Sequence, residues 1–176
     1  EFRRVLFRSY SALNRETTYS FIYSGDKDDI KESLIKEIQN TYSKDDYLNK
    51  SWSRIRYSAS SDDGKNIKVT VNTDFMTTKE EEDYIDAELQ AITNSIITNN
   101  MSDYEKVKAI NDYLVNRYEY DYDLLDRVTK VNSGAVTDEN YIEEVYNRIN
   151  VYSALKTSKT VCQGYSMTAY KMMKYA

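Results

Sequence analysis

The chain has 176 residues, of which 40% are apolar, and a formal net charge of −5 from 24 basic and 29 acidic side chains. Its basic residues are scattered among acidic ones rather than gathered into a stripe, which argues against a nucleic-acid phosphate partner, and no run of roughly 18 apolar residues exists to cross a membrane as a helix. The length suits one domain or two small ones with a real core.

Residues 1–9, "EFRRVLFRS", combine three arginines with a short apolar trio. They lack the long apolar stretch and the small-residue cleavage site of a signal peptide, so they read as a cloning or sequencing scar and take no part in fold reasoning. Residues 10–76 and 77–176 then read as two parts of different character.

In the first part, "TTYSFIY" (17–23) places Tyr19, Phe21 and Tyr23 on one face, the period of a half-buried strand. A helix over 28–41 follows, with Asp28 or Asp29 available to cap it and Ile30, Leu34 and Ile38 forming an apolar stripe that lies on a sheet. Strands over 52–60 and 66–75 flank Asp63-Gly64, a tight-turn signal, and Ile67, Val69, Val71 and Phe75 alternate on the second of them. The expectation is a β-α-β-β module.

After Phe75 the period becomes helical. Thr78 with Glu81, and Ser102 with Glu105, read as capping boxes. The first opens a helix with Ile85, Leu89, Ile92 and Ile96 on one face; the second opens a helix to about Tyr118 with Val107, Ile110 and Leu114 on one face. Residues 119–138 are polar and read as loop, and 139–159 read as helix with a break near Asn150. The fold class is therefore α+β, a small β-α-β-β module followed by a mostly helical part.

The chain has one cysteine, Cys162, and no histidine. A single cysteine cannot form an intramolecular disulfide, so cysteine usage carries no signal of an oxidising compartment. The spacing of Tyr165, Ala169, Met172 and Ala176 predicts a helix that starts within one residue of Cys162, where the macrodipole favours an anionic sulfur. Gly164 permits close approach of another segment, and Thr160 or Ser158 offers a capping oxygen. The plain alternative is a small buried hydrophobe filling a core. Asp121, Asp123 and Asp126 lack the glycine and terminal glutamate of an EF-hand loop, which argues against a metal site there. Tyr19, Tyr23, Tyr57 and Tyr165 fall on predicted core faces.

Two segments, "MSDYEKVKAINDYLVNRYEYDYD" (101–123) and "NVYSALKTSKTVCQGYSMTAYKMM" (150–173), resemble the bacterial transglutaminase-like superfamily in order and in spacing type. Its nucleophile motif falls on Cys162, with Val161, Gln163, Gly164 and Tyr165 as the supporting positions; Thr160 stands where members often carry glycine, and Ser166 where alanine is usual. The resemblance implies the N-terminal part of a papain-like scaffold and a Cys-His-Asp triad whose histidine and aspartate lie downstream, so the base is expected beyond residue 176. It implies acyl transfer from a protein or peptide amide through a thioester, with no cofactor and no metal. Water as acceptor makes a peptidase or deamidase and an amine makes a cross-linker; the resemblance leans to hydrolysis and to an extracellular or cell-surface location. The competing class is a non-catalytic papain-like module that binds a surface partner. Without an imidazole, the 176 residues are expected to be catalytically silent by themselves.

Overall fold

The computed structural model describes residues 11–61 and 66–176. The chain divides into two units, one ending at Phe75 and the other running from Met76 to Ala176.

The first unit is built on alternation. Strands β1 (Thr18–Tyr23), β2 (Trp52–Ser60) and β3 (Ile67–Phe75) form an antiparallel sheet in the order β1-β3-β2. Asp63-Gly64 lies outside the described residues, but the strands on either side of it pair in antiparallel register, Ser60 opposite Lys68. On β3, Ile67, Val69 and Val71 are buried, and Thr73 extends the same face. Helix α1 (Ile30–Tyr42) lays Ile30 and Leu34 on them, with Tyr19, Phe21, Tyr23, Ile38 and Ile55 packed around. Neither candidate cap behaves as expected, since Asp29 holds the N-cap position but makes no side-chain bond to the helix. The short helix α2 (Asp46–Asn49) does have such a cap, Asp45 accepting from Leu48 N–H at 3.0 Å. Trp52 meets Tyr42 in a second cluster with Leu48 and Phe75.

A second expectation fails in this unit. Tyr57 sits opposite Val71 yet is 42% exposed, and residues 56–60 are exposed throughout. Among the described residues, the cluster under α1 takes in Ile55 but no residue of the outer half of edge strand β2.

The second unit is helical because its apolar residues recur near the 3.6-residue period. Helix α3 (Lys79–Ile96) opens with the full Thr78/Glu81 capping box and buries Ile85 and Leu89 completely, each worth roughly 1.5–3 kcal/mol. Helix α4 (Asp103–Arg117) opens with the Ser102/Glu105 box. It buries Ile110 and Leu114, but Val107 is 47% exposed. The buried side centres on Ile110, with Tyr113 and Lys106 half-buried beside it, which turns Val107 to the rim.

Of the stretch 119–138, only 133–138 is loop. Strand β4 (Glu119–Tyr120) leads to helix α5 (Tyr122–Asn132), capped by Asp121, whose Oδ1 accepts from Leu124 N–H at 2.8 Å. Leu124, Leu125, Val128 and Val131 supply its apolar stripe. The helix stops at a Schellman turn, in which Ala135 N–H reaches Lys130 O and Gly134 N–H reaches Val131 O, both at 3.0 Å, with Gly134 at φ 71°. Helices α6 (Glu139–Tyr146) and α7 (Val151–Thr157) are separated at Asn150, which caps α7 through Ser153 N–H. Strand β5 (Lys159–Thr160) and helix α8 (Cys162–Tyr175) complete the unit.

Candidate functional site around Cys162

The geometry here starts with the end of α7. Ser158 adopts a left-handed conformation, φ 60°, at the C-cap, and Arg117 holds the turn by bonding Ser158 Oγ at 2.5 Å and Leu155 O at 3.0 Å. The chain then leaves α7 as β5, which pairs in parallel with β4: Glu119 N–H donates to Ser158 O and Asp121 N–H to Thr160 O. This two-residue ladder brings the Tyr118–Tyr122 segment alongside the approach to Cys162.

Val161 is extended and buried among Met76, Leu124, Val145 and Ile149, which anchors the entry to α8. Cys162 follows as the first residue of α8 and is exposed, so the buried-hydrophobe alternative does not hold. Its carbonyl accepts from Ser166 Oγ at 2.8 Å. The half-buried Gln163 has Nε2 3.8 Å from Met76 Sδ.

Neither proposed capping oxygen caps the helix. The N-cap position is Val161, and no side chain caps the helix there. Ser158 Oγ is turned to Arg117, while Thr160 is fully buried with its side chain set against Gly164. The close approach predicted at Gly164 is therefore made by Thr160, four residues earlier in the chain.

Tyr165 lies one turn beyond Cys162 and donates its hydroxyl to Tyr118 O at 2.7 Å. Its ring meets Tyr118 edge-on with centroids 5.5 Å apart and stacks on Tyr120 at 6.2 Å, while Tyr120 in turn meets Tyr122 at 5.1 Å. Burial pushes the Tyr118 phenol up to about 12, and raises Tyr165 with help from the neighbouring Tyr120 and Glu119. This cluster was missed from the sequence, although the alternation Tyr118, Tyr120, Tyr122 in "YEYDY" is its signal.

No imidazole can stand beside Cys162, because the chain has none. The three aspartates weighed for a cation do not converge: Asp121 caps α5 and pairs with Arg148 at 2.9 Å, and Asp126 pairs with Lys130 at 2.6 Å. Among the described residues no group of three or more histidine, cysteine or acidic side chains is arranged to hold a metal ion, and no described helix is long and apolar enough to cross a membrane.

The buried face of α8 also differs from the predicted stripe. It carries Gly164, Thr168, Lys171 and Met172, while Tyr165 and Ala169 are half-buried and Ala176 is exposed. Met172 is wholly buried and Met173 is 47% exposed; at 100° per residue the two do not share a face. Compared with models of protein families, with curated proteins and with solved structures, the chain matches none.

Proposed function

We propose that Met76–Ala176 is the nucleophile-bearing part of a transglutaminase-like, papain-type cysteine acyl-transfer fold, with Cys162 as nucleophile and a protein or peptide amide as substrate. One observation carries this reading: an exposed thiol occupies the first position of α8, set there by the buried Val161 and by a glycine fitted against Thr160. The positive end of a helix favours negative charge at that position. In this reading a base takes the thiol proton and the sulfur attacks the amide carbonyl carbon. The C–N bond then breaks with return of the proton to the leaving amine, and water cleaves the thioester to a carboxylic acid and the free thiol. The chain has no histidine, so the base and the aspartate that orients it would come from polypeptide outside these 176 residues. No cofactor enters these steps. An extracellular or cell-surface setting accords with the resemblance.

The test is to read the parent gene past Ala176 for a histidine and then an aspartate, express that longer chain, and follow release of new amino termini and incorporation of a labelled amine into casein. Loss of either activity in Cys162→Ala supports the reading and distinguishes hydrolysis from amine transfer. A parent with neither residue, or turnover indifferent to Cys162→Ala, overturns it in favour of a non-catalytic binding module. The 176-residue chain by itself is expected to show no turnover.

A further inference from the structure

The α3–α8 contact holds a polar network that the acyl-transfer reading does not use. Lys171, buried on α8, places Nζ 3.0 Å from Glu82 Oε2 and 2.5 Å from Asp86 Oδ1. Tyr175, one turn further along α8, donates its hydroxyl to Asp86 Oδ1 at 2.6 Å, and Thr77 Oγ1 donates to Glu82 Oε1 at 2.6 Å. Two i,i+4 pairs, Glu82/Asp86 and Lys171/Tyr175, thus face each other across the helices. One cation meets two carboxylates; the two hydroxyl donors offset part of the excess negative charge, and Asp86, with a side chain 50% exposed, spreads the rest into water. Burial and the hydrogen bond to Asp86 both hold the Tyr175 phenol above its ordinary range, which keeps it a donor.

The first turn of α8 is held by Gly164 against Thr160 and by the Tyr165 hydroxyl on Tyr118 O; beyond that turn the rest of its buried face specifies little. Thr168 is small, and Met172, the one large apolar side chain on that face, is of the flexible kind that adapts to irregular gaps. A slide by one residue moves α8 by about 1.5 Å and rotates it by about 100°. Apolar contacts of this sort survive such a slide, whereas all three bonds from Lys171 and Tyr175 to α3 break. We infer that the Glu82–Lys171–Asp86–Tyr175 network is a register lock: it sets the height and rotation of the C-terminal half of α8 on α3 and, together with the first-turn contacts of Val161 and Gly164, holds Cys162, about 13 Å up the helix at 1.5 Å per residue, in one setting. Buried ionic groups serve such a register role best where apolar packing leaves alternatives. The lock concerns the helix whether or not Cys162 is a nucleophile.

The experiment compares the 176-residue chain with its Glu82→Leu/Lys171→Met variant, which replaces the buried pair by apolar side chains. Three quantities are read: thermal midpoint, the methyl resonance of Met172 in methionine-labelled protein, and the time course of Cys162 alkylation by iodoacetamide at fixed pH. A register lock predicts a variant that folds with an equal or higher midpoint, a Met172 resonance that splits or broadens, and alkylation that loses its single-exponential form. One sharp Met172 resonance together with unchanged alkylation overturns the proposal. If that variant does not fold, Asp86→Ala/Tyr175→Phe, which removes the bonds to Asp86 and leaves the Glu82–Lys171 pair in place, is read in the same way: a split Met172 resonance supports the lock and a single unchanged one refutes it. Neither result depends on amide turnover, so failure of the lock and failure of the acyl-transfer reading are separable.

Discussion

Thr160 and Gly164 claim the same space: a Cβ placed on Gly164 would lie 1.9 Å from Thr160 Oγ1 and 2.9 Å from Thr160 Cβ. In most helices alanine is better than glycine by about 1 kcal/mol. Here the sign should reverse, because Thr160 is fully buried and β-branched, so it has little freedom to turn away. Gly164→Ala is expected to destabilise by about 1–3 kcal/mol. In a Thr160→Gly background the same change should cost less, giving a favourable coupling of about 0.5–3 kcal/mol. Urea midpoints from far-UV circular dichroism check this, and strict additivity would count against it.

Lys171→Ala should be among the most damaging single changes in the helical unit. It removes the cation facing Glu82 and Asp86 while leaving the Glu82 carboxylate buried, a loss of about 3–5 kcal/mol. The apolar replacement of both partners should be far milder. Urea unfolding of the two variants side by side tests the contrast, and equal losses would contradict it.

How legible was this in the sequence? The three strands, the two capping boxes, the break at Asn150 and the place of Cys162 all follow from short-range signals: alternation, i,i+3 capping and helical spacing. The Lys171 network was not legible, because hydrophobic periodicity sees only apolar residues and its partners lie 89 and 85 positions earlier in the chain. Helix α5 was overlooked for a related reason. Asp121 was weighed as a possible ligand when its work is to cap, and the stripe Leu124, Val128, Val131 is diluted by charged neighbours. The exposed Tyr57 and Val107 mark the third limit, since a pattern indicates which face an element would bury but not how far the next element extends over it.

Asp121→Ala should therefore weaken α5 rather than any cation site. Loss of the cap to Leu124 N–H is expected to cost about 0.5–2 kcal/mol. Asn is an equally good N-cap, so Asp121→Asn should retain most of that, losing only the pair with Arg148, whose side chain is 41% exposed. Thermal midpoints with and without calcium provide the measurement; a calcium-dependent rise abolished by either change would refute this account.

Tyr118 makes a prediction for alkaline pH. Burial raises its phenol from the ordinary 10.0 to about 12, so the fold favours the neutral form. That contribution is fully present below pH 10 and is lost as the pH climbs towards 12, by roughly 2–3 kcal/mol for a displacement of this size. Tyr118→Phe should flatten the decline in stability over that window and remove one late-titrating phenol from the 295 nm absorbance curve. An unchanged slope would show that Tyr118 ionises freely.

The exposure of Cys162 has a practical consequence when set beside Trp52, which packs on Tyr42 in the sheet unit. Each is the sole residue of its kind in the chain, and they fall in different units. The protein thus carries a native fluorescence donor in one unit and a unique attachment point for an acceptor dye in the other. Energy transfer from Trp52 to a maleimide-linked acceptor on Cys162 can gauge the separation of the two units in solution, and its change under denaturant can report whether they come apart together or in turn, without a single substitution.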